Sequence, residues 1–348
     1  MGSNFRWSES STFAYTLQNH TSVVGLRAYA IEAGASVKPC IVGQQQHCNT
    51  QEQEHSLLFS SELCTVRSCE SLRSPTERKD DGVNCNTGVS LFAFPGEDNF
   101  SGQIFDVDAL ADAAKDAKGR WYVLVDAARY AACFPIDLSK HRSVDFMSIS
   151  FYKIFGFPTG VGALIARRSA LSEALCKKYF GGGTVRALDP FSHFVRLKKP
   201  STEEAWEDGT IPYDLIPMLL CGLQKVERIG MQTISSHVVR LTAYTVHSLQ
   251  SLRHSKSSGG RHAVLVYGHP SLPSGTTPYD GVKNSARQGE FGGIIAFNVI
   301  AANGSIIGYT EVERVLRVNR ICVRVGCFCN PGKHQIISND FSIIDLRK

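Results

Sequence analysis

No apolar run in this chain approaches a membrane span; the longest, Phe291 to Ala302, is short and interrupted by Asn298. The opening MGSNFRWSESS has neither the hydrophobic core of a secretion signal nor the Arg-rich, acid-poor character of a transit peptide. Gly2 is followed by Arg6 where a myristoylation signal needs Ser or Thr. These absences point to the cytoplasm. Eleven cysteines are present, yet no Cys-x-x-Cys pair; the tightest spacing is Cys327-x-Cys329, followed by x4 spacings such as Cys64-x4-Cys69. That argues against a structural zinc site. Without a secretion signal it also argues against a disulfide framework. Most of these cysteines read as buried thiols, with one or two left for chemistry. Charge of one sign is lacking as well. The 37 basic and 32 acidic residues leave +5, too mild and dispersed for a nucleic-acid binder.

What is present is the composition of a globular protein: 43% hydrophobic and 20% charged over 348 residues, enough for one large or two modest domains. Short apolar runs at Thr12–Tyr15, Leu91–Phe94, Tyr122–Val125, Phe146–Ile149 and Val161–Ile165 predict buried strands. Amphipathic stretches at Thr21–Ala33, Val107–Lys118, Ala170–Tyr179 and Tyr213–Ile229 predict helices. Strand, helix, strand at these spacings predicts a mostly parallel sheet covered on both faces. From about Met231 the texture changes. A helix at Ile234–Leu252, strands at Ala263–Tyr267 and Ile294–Val299, a helix at Glu311–Val318 and a strand at Ile321–Val325 predict a smaller α+β unit. The expected division is a large domain over 1–230 and a small one over 231–348. Residues 44–88 are rich in Gln, Ser, Glu, Cys and Asn without a sustained period, and read as a polar, mobile surface insertion.

Two positions carry chemistry by their setting. The strand Tyr122–Val125 ends in Asp126, which places a carboxylate at the carboxyl edge of a parallel sheet, where α/β proteins bind ligands. A helix cap or turn residue is the plainer alternative. Lys153 stands just past the next strand, beside Phe151, Tyr152 and Phe155. Desolvation there would lower the amine pKa and make it a nucleophile; a snorkelling surface lysine is the alternative. Gly156, Gly160 and Gly162 match no phosphate-loop pattern and read as turn glycines.

Taken together, the stretch VDAARYAACFPIDLSKHRSVDFMSISFYKIFGFPTGVGALIARR resembles the pyridoxal-phosphate segment of the class-V aminotransferases, specifically the cysteine desulfurases. The resemblance implies an aspartate-aminotransferase-like α/β fold (fold type I) and pyridoxal 5'-phosphate as cofactor. It makes Asp126 the partner of the pyridine nitrogen and Lys153, 27 positions later, the residue that holds the cofactor covalently. His20 then matches the imidazole that stacks on the ring, Asn99 the asparagine near its phenolic oxygen, and Ser150 a phosphate-contacting hydroxyl. Tyr152 and Arg129 replace a His and a Gln of bacterial relatives and retain donors for the cofactor. Thr210 matches a threonine that reaches the cofactor phosphate of a neighbouring subunit, which implies a homodimer. By register from Arg324-x-Gly326, Cys329 takes the place of the nucleophile, with Cys327 as runner-up.

The wording Gly-Cys-Phe-Cys-Asn-Pro-Gly (326–332), with Asn-Phe-Ser-Gly (99–102) and Phe-Gly-Gly-Gly-Thr (180–184), is most similar to the molybdenum-cofactor sulfurase branch of that family. This implies an enzyme that takes sulfur from L-cysteine through a cysteine persulfide and delivers it to the molybdenum cofactor. The branch has about a hundred residues upstream of Met1, a carboxylate-binding arginine downstream and a further C-terminal domain, so the expectation is a chain truncated at both ends. A general cysteine desulfurase or selenocysteine lyase is one rival class. A catalytically inactive form that only dimerises or competes is the other.

Overall fold

Every residue of Val89–Pro95 is buried, so this segment can only be a central strand. In the computed structural model, which describes residues 1–40, 42, 88–255, 259–269, 291–326 and 328–332, it is β3 of a six-stranded sheet. The other strands are β1 (Thr12–Thr16), β2 (Ser36–Cys40), β4 (Arg120–Asp126), β5 (Phe146–Ser150) and β6 (Gly162–Ala166), in the order β2-β1-β3-β4-β5-β6. The first five run parallel and β6 antiparallel. Alternation along the strands feeds two cores. Phe13, Leu91, Tyr122, Leu124 and Phe146 pack on one face, while Phe92, Phe94, Val123, Val125 and Met147 pack on the other. Helix α3 (Val107–Asp116) closes the second face with Val107, Leu110, Ala111 and Ala114, spaced as one helical stripe. Its start is fixed by Asp106, whose carboxylate accepts from the Ala109 amide at 3.0 Å.

The parallel order has one consequence for chemistry. Because β1, β3, β4 and β5 point the same way, the residues following them gather along a single carboxyl edge. Those residues are His20, Glu97 to Asn99, Asp126 to Arg129 and Ser150 to Lys153. Lys153 itself lies on a one-turn helix, α4 (Phe151–Phe155), stopped by Gly156 at φ +85°.

The helices α1 (Thr21–Val24) and α2 (Arg27–Glu32) replace the single helix expected over 21–33; Gly25 falls at the break. Helix α5 (Arg168–Glu173) stops before the expected Tyr179, because Leu175 turns to bridge Phe5. The hairpin of β7 (Val185–Leu188) and β8 (Val195–Leu197) was not signalled by the sequence, and most of its residues are exposed. Beyond it run α6 (Leu215–Ile229) and α7 (Met231–Ser251), joined at Gly230. Then come the antiparallel pair β9 (Val264–Tyr267) and β10 (Ala296–Val299), and α8 (Tyr309–Val318). The strand expected at 321–325 is not formed. Arg320 turns the chain at φ +61° and Ile321 is 51% exposed, so the apolar alternation there meets no partner strand. The expected insertion at 44–88 falls almost entirely outside the described residues. No helix among the described residues is long and apolar enough to cross a membrane.

Candidate active site

Asp126 ends β4 between Pro95 of β3 and Ser148 of β5. Its Oδ1 accepts from the Ala128 amide at 3.0 Å and from the Ser148 hydroxyl at 3.1 Å. Oδ2 accepts nothing among the described residues, which leaves one carboxylate oxygen for an outside donor. Lys153 makes no hydrogen bond or ion pair among the described residues, so its amine is uncommitted.

His20 caps α1. Its Nδ1 accepts from the Ser22 amide at 3.1 Å, so in the neutral ring the proton sits on Nε2. Its pKa is lowered, chiefly by burial; the carboxylate of Asp126 opposes this and the charges of Lys153 and Arg324 add to it. The imidazole is therefore neutral at pH 7. These four groups share one electrostatic neighbourhood, though they come from four separate parts of the chain. The loop carrying His20 is pinned by Asn19, fully buried, whose amide donates to the Thr16 and Ala93 carbonyls.

Asn99 does not face outward with a free amide. Its Nδ2 donates to the Phe328 carbonyl at 2.6 Å, and its Oδ1 accepts from Asn330 at 2.9 Å. The cysteine loop is thus docked on the sheet edge. Phe328 sits under Arg324, 5.6 Å from guanidinium to ring centre, and beside Phe100. Both Phe328 (φ +53°) and Cys329 (φ +58°) are left-handed, a conformation that costs on the order of 1 kcal/mol per non-glycine residue and needs neighbours to hold it. Gly332 seats so close that a β-carbon there would stand 2.0 Å from the Leu17 carbonyl. Cys329 is exposed and Cys327 lies outside the described residues.

The remaining sequence candidates are more scattered. Tyr152 is half exposed on α4. Ser150 is half-buried at the end of β5, with no side-chain bond among the described residues. Arg129 faces inward, its Nε 3.5 Å from Glu97 Oε1. Thr210 is exposed on a loop tied by the Gly209 amide to the Gly182 carbonyl, and no described contact joins it to Asp126 or Lys153. Sequence reasoning missed Glu97, Ser148 and Arg324. Ser148 had a signal, since it lies two residues before Ser150 and on the same face of β5.

Glu97 is fully buried, and burial pushes its carboxyl up to about 7 despite the pull of Arg129. Asp98 adds to the rise, while Lys153 and the Gly293 amide oppose it. Below the ordinary carboxyl pKa of 4.5 both folded and unfolded chains hold the proton, so the group contributes no pH dependence. Between there and about 7 only the unfolded chain ionises. Stability falls as pH rises, by on the order of 3 kcal/mol in all, and the loss is complete above that range. Urea unfolding of Glu97→Gln against the parent should therefore show a stability difference that grows from pH 5 to pH 8. A difference constant with pH would contradict the buried, proton-holding carboxyl.

Against known proteins, residues 77–264 match the family model for Aminotransferase class-V, which is over half of the chain. The chain belongs to the class-V aminotransferases. Within that family it is 34% identical over 343 residues to a molybdenum cofactor sulfurase of Arabidopsis thaliana, covering 95% of this chain and 39% of the relative. It is 34% identical over 345 residues to the human molybdenum cofactor sulfurase, covering 96% of this chain and 34% of that one. This class-V aminotransferase chain thus spans between a third and two fifths of the length of those curated relatives. Among solved structures it shares the fold of the apo cysteine desulfurase from Thermococcus onnurineus, with TM-score 0.65, 21% identity, 96% of this chain and 67% of that chain covered. A C-DES mutant with glycine covalently linked to its PLP cofactor gives TM-score 0.65 at 16% identity, covering 97% of this chain and 75% of that chain. The likeness includes the mostly parallel sheet and its helical layers, the fold expected from the sequence.

Proposed function

We propose that this chain is the desulfurase part of a pyridoxal-phosphate-dependent enzyme that takes sulfur from L-cysteine and delivers it to the molybdenum cofactor. The observation that carries the reading is the union of His20, Asp126 and Lys153 at one sheet edge, with the loop of Cys329 docked beside them. The likeness to molybdenum cofactor sulfurases along nearly the whole chain supports the choice of acceptor.

Pyridoxal phosphate suits the residues present. Asp126 Oδ2 is the uncommitted acceptor for a ring N–H, the neutral imidazole of His20 is a stacking face, and Lys153 offers a free amine. When bound, the cofactor supplies an aldehyde carbon and an electron sink for the breaking of the substrate's carbon–sulfur bond. The protein's share is positional and acid–base. The charge of Asp126 holds a proton at the ring nitrogen. Neutral His20 covers a ring face without adding a second cation beside Lys153. Ser150, Tyr152, Arg129 and Asn99 are proposed as further contacts.

The Lys153 amine carries protons between substrate carbons. The Cys329 thiolate attacks the substrate sulfur: an S–S bond forms, the C–S bond breaks, and the carbon takes up a proton to leave as alanine. The resulting persulfide holds the sulfur for transfer. We further propose a homodimer, with the exposed Thr210 serving the neighbouring subunit, and a cytoplasmic setting in which the free cysteines stay reduced. The two-domain division at residue 230 stays part of this proposal.

Given pyridoxal phosphate and L-cysteine, the chain should release alanine and gain one sulfur on the Cys329 peptide. Transfer should favour molybdenum cofactor over an iron–sulfur scaffold protein. Equal transfer to the scaffold would assign a general desulfurase. A cofactor-loaded chain that releases no alanine would contradict the proposal.

A further inference from the structure

Asn330 is completely buried although it follows the exposed Cys329 directly. Its Nδ2 lies 3.1 Å from the Gln18 carbonyl, 2.8 Å from Asp98 Oδ1 and 2.9 Å from Asn99 Oδ1. Those three acceptors belong to the loop that presents His20 and the loop that follows β3. One side chain therefore joins both loops to the thiol loop. Asp98 is itself fixed, accepting from the Phe100 amide at 3.0 Å and the Ser101 hydroxyl at 2.6 Å. The far end of the latch closes when the Thr21 amide donates to the Cys329 carbonyl at 2.8 Å.

We propose that Asn330 is a positioning residue: it latches the thiol loop onto the loops bearing His20 and Asn99, and so fixes where the Cys329 thiol stands. The thiol's role rests on the function proposed above; the latch itself does not. Left-handed backbone at two consecutive non-glycine residues would relax once the anchor was gone. Truncating Asn330 also removes the donor shared by the buried Gln18 carbonyl, Asp98 Oδ1 and the half-buried Asn99 Oδ1, while Asp98 keeps the Phe100 amide and the Ser101 hydroxyl. The loop, and not the sheet, is therefore the part that should open.

Thr21 gives a clean reporter. As the first residue of α1 its amide has no partner within the helix, so the protection it has comes from the Cys329 carbonyl. The Gly25 amide, which donates to the Thr21 carbonyl, reports on α1 itself. In residue-resolved hydrogen exchange, Asn330→Ala should speed Thr21 roughly tenfold while leaving Gly25 and the sheet amides unchanged. Should that variant fail to fold, Asn330→Ser, which retains a shorter donor, should give a smaller rise with the same selectivity. In turnover, alanine release at saturating cysteine should fall on the order of 10- to 100-fold with KM unchanged. Equal acceleration at Thr21 and Gly25, or none at Thr21, overturns the latch. A selective rise at Thr21 with parental turnover overturns the positioning role. A parent chain that turns over no cysteine fails the functional reading, and the exchange result still decides the latch.

Discussion

Cys329→Ser is expected to lower alanine release from L-cysteine by about a thousandfold or more, because a serine hydroxyl is neither ionised at neutral pH nor able to accept sulfane sulfur. The loop geometry gives this prediction its selectivity. Cys176, Cys221 and Cys322 are also exposed, but Cys176 follows α5, Cys221 lies on α6 and Cys322 stands seven residues before Cys329. None of them has a hydrogen bond to the loops that carry His20 and Asn99 among the described residues. Replacing any of them with serine should change turnover by no more than about twofold. Cys327→Ser should reduce release only in part. Alanine quantification with mapping of the persulfide-bearing peptide measures all of these at once. If Cys327→Ser abolished release while Cys329→Ser merely slowed it, the nucleophile would move two residues along the loop.

Lys153→Ala should cause a loss of about the same size, at least a thousandfold, with almost no effect on stability. The two halves of that expectation test each other. Lys153 is half-buried on a one-turn helix and makes no hydrogen bond or ion pair among the described residues, so its truncation should shift unfolding by about 0.5 kcal/mol or less. Lys153→Arg keeps the charge but cannot condense with an aldehyde, and should be equally inactive. Parental turnover in either variant would make Lys153 an ordinary surface lysine. A large fall in stability would mean that lost activity reports unfolding instead of lost chemistry.

The sheet and the edge that bears Asp126 and Lys153 were legible in the sequence. Continuous apolar runs such as Leu91–Phe94 mark strands buried on both faces, and the first polar residues after them fall on the carboxyl edge. What eluded the sequence depends on contacts between distant segments. Asn330 and Asp98 are 232 positions apart, and an asparagine after a cysteine carries no local sign that it is buried. The Glu97–Arg129 pair is hidden for the same reason, since each residue alone suggests a solvated surface. Edge strand β2 was missed because Pro39 and exposed alternate residues weaken its pattern. The error at 321–325 ran the other way: an apolar alternation was present, but no neighbouring strand met it. For Asn99, the resemblance implied a cofactor contact, and the fold adds a tie to the cysteine loop that no local pattern signals.

The central claim is that this edge holds an aldehyde cofactor on Lys153. The most direct test is to add pyridoxal phosphate to the 348-residue chain, reduce with borohydride and map the modified peptide. The account predicts a near-visible absorbance that reduction removes, with the label on Lys153. A label on another lysine, with the Lys153 peptide unmodified, would contradict it.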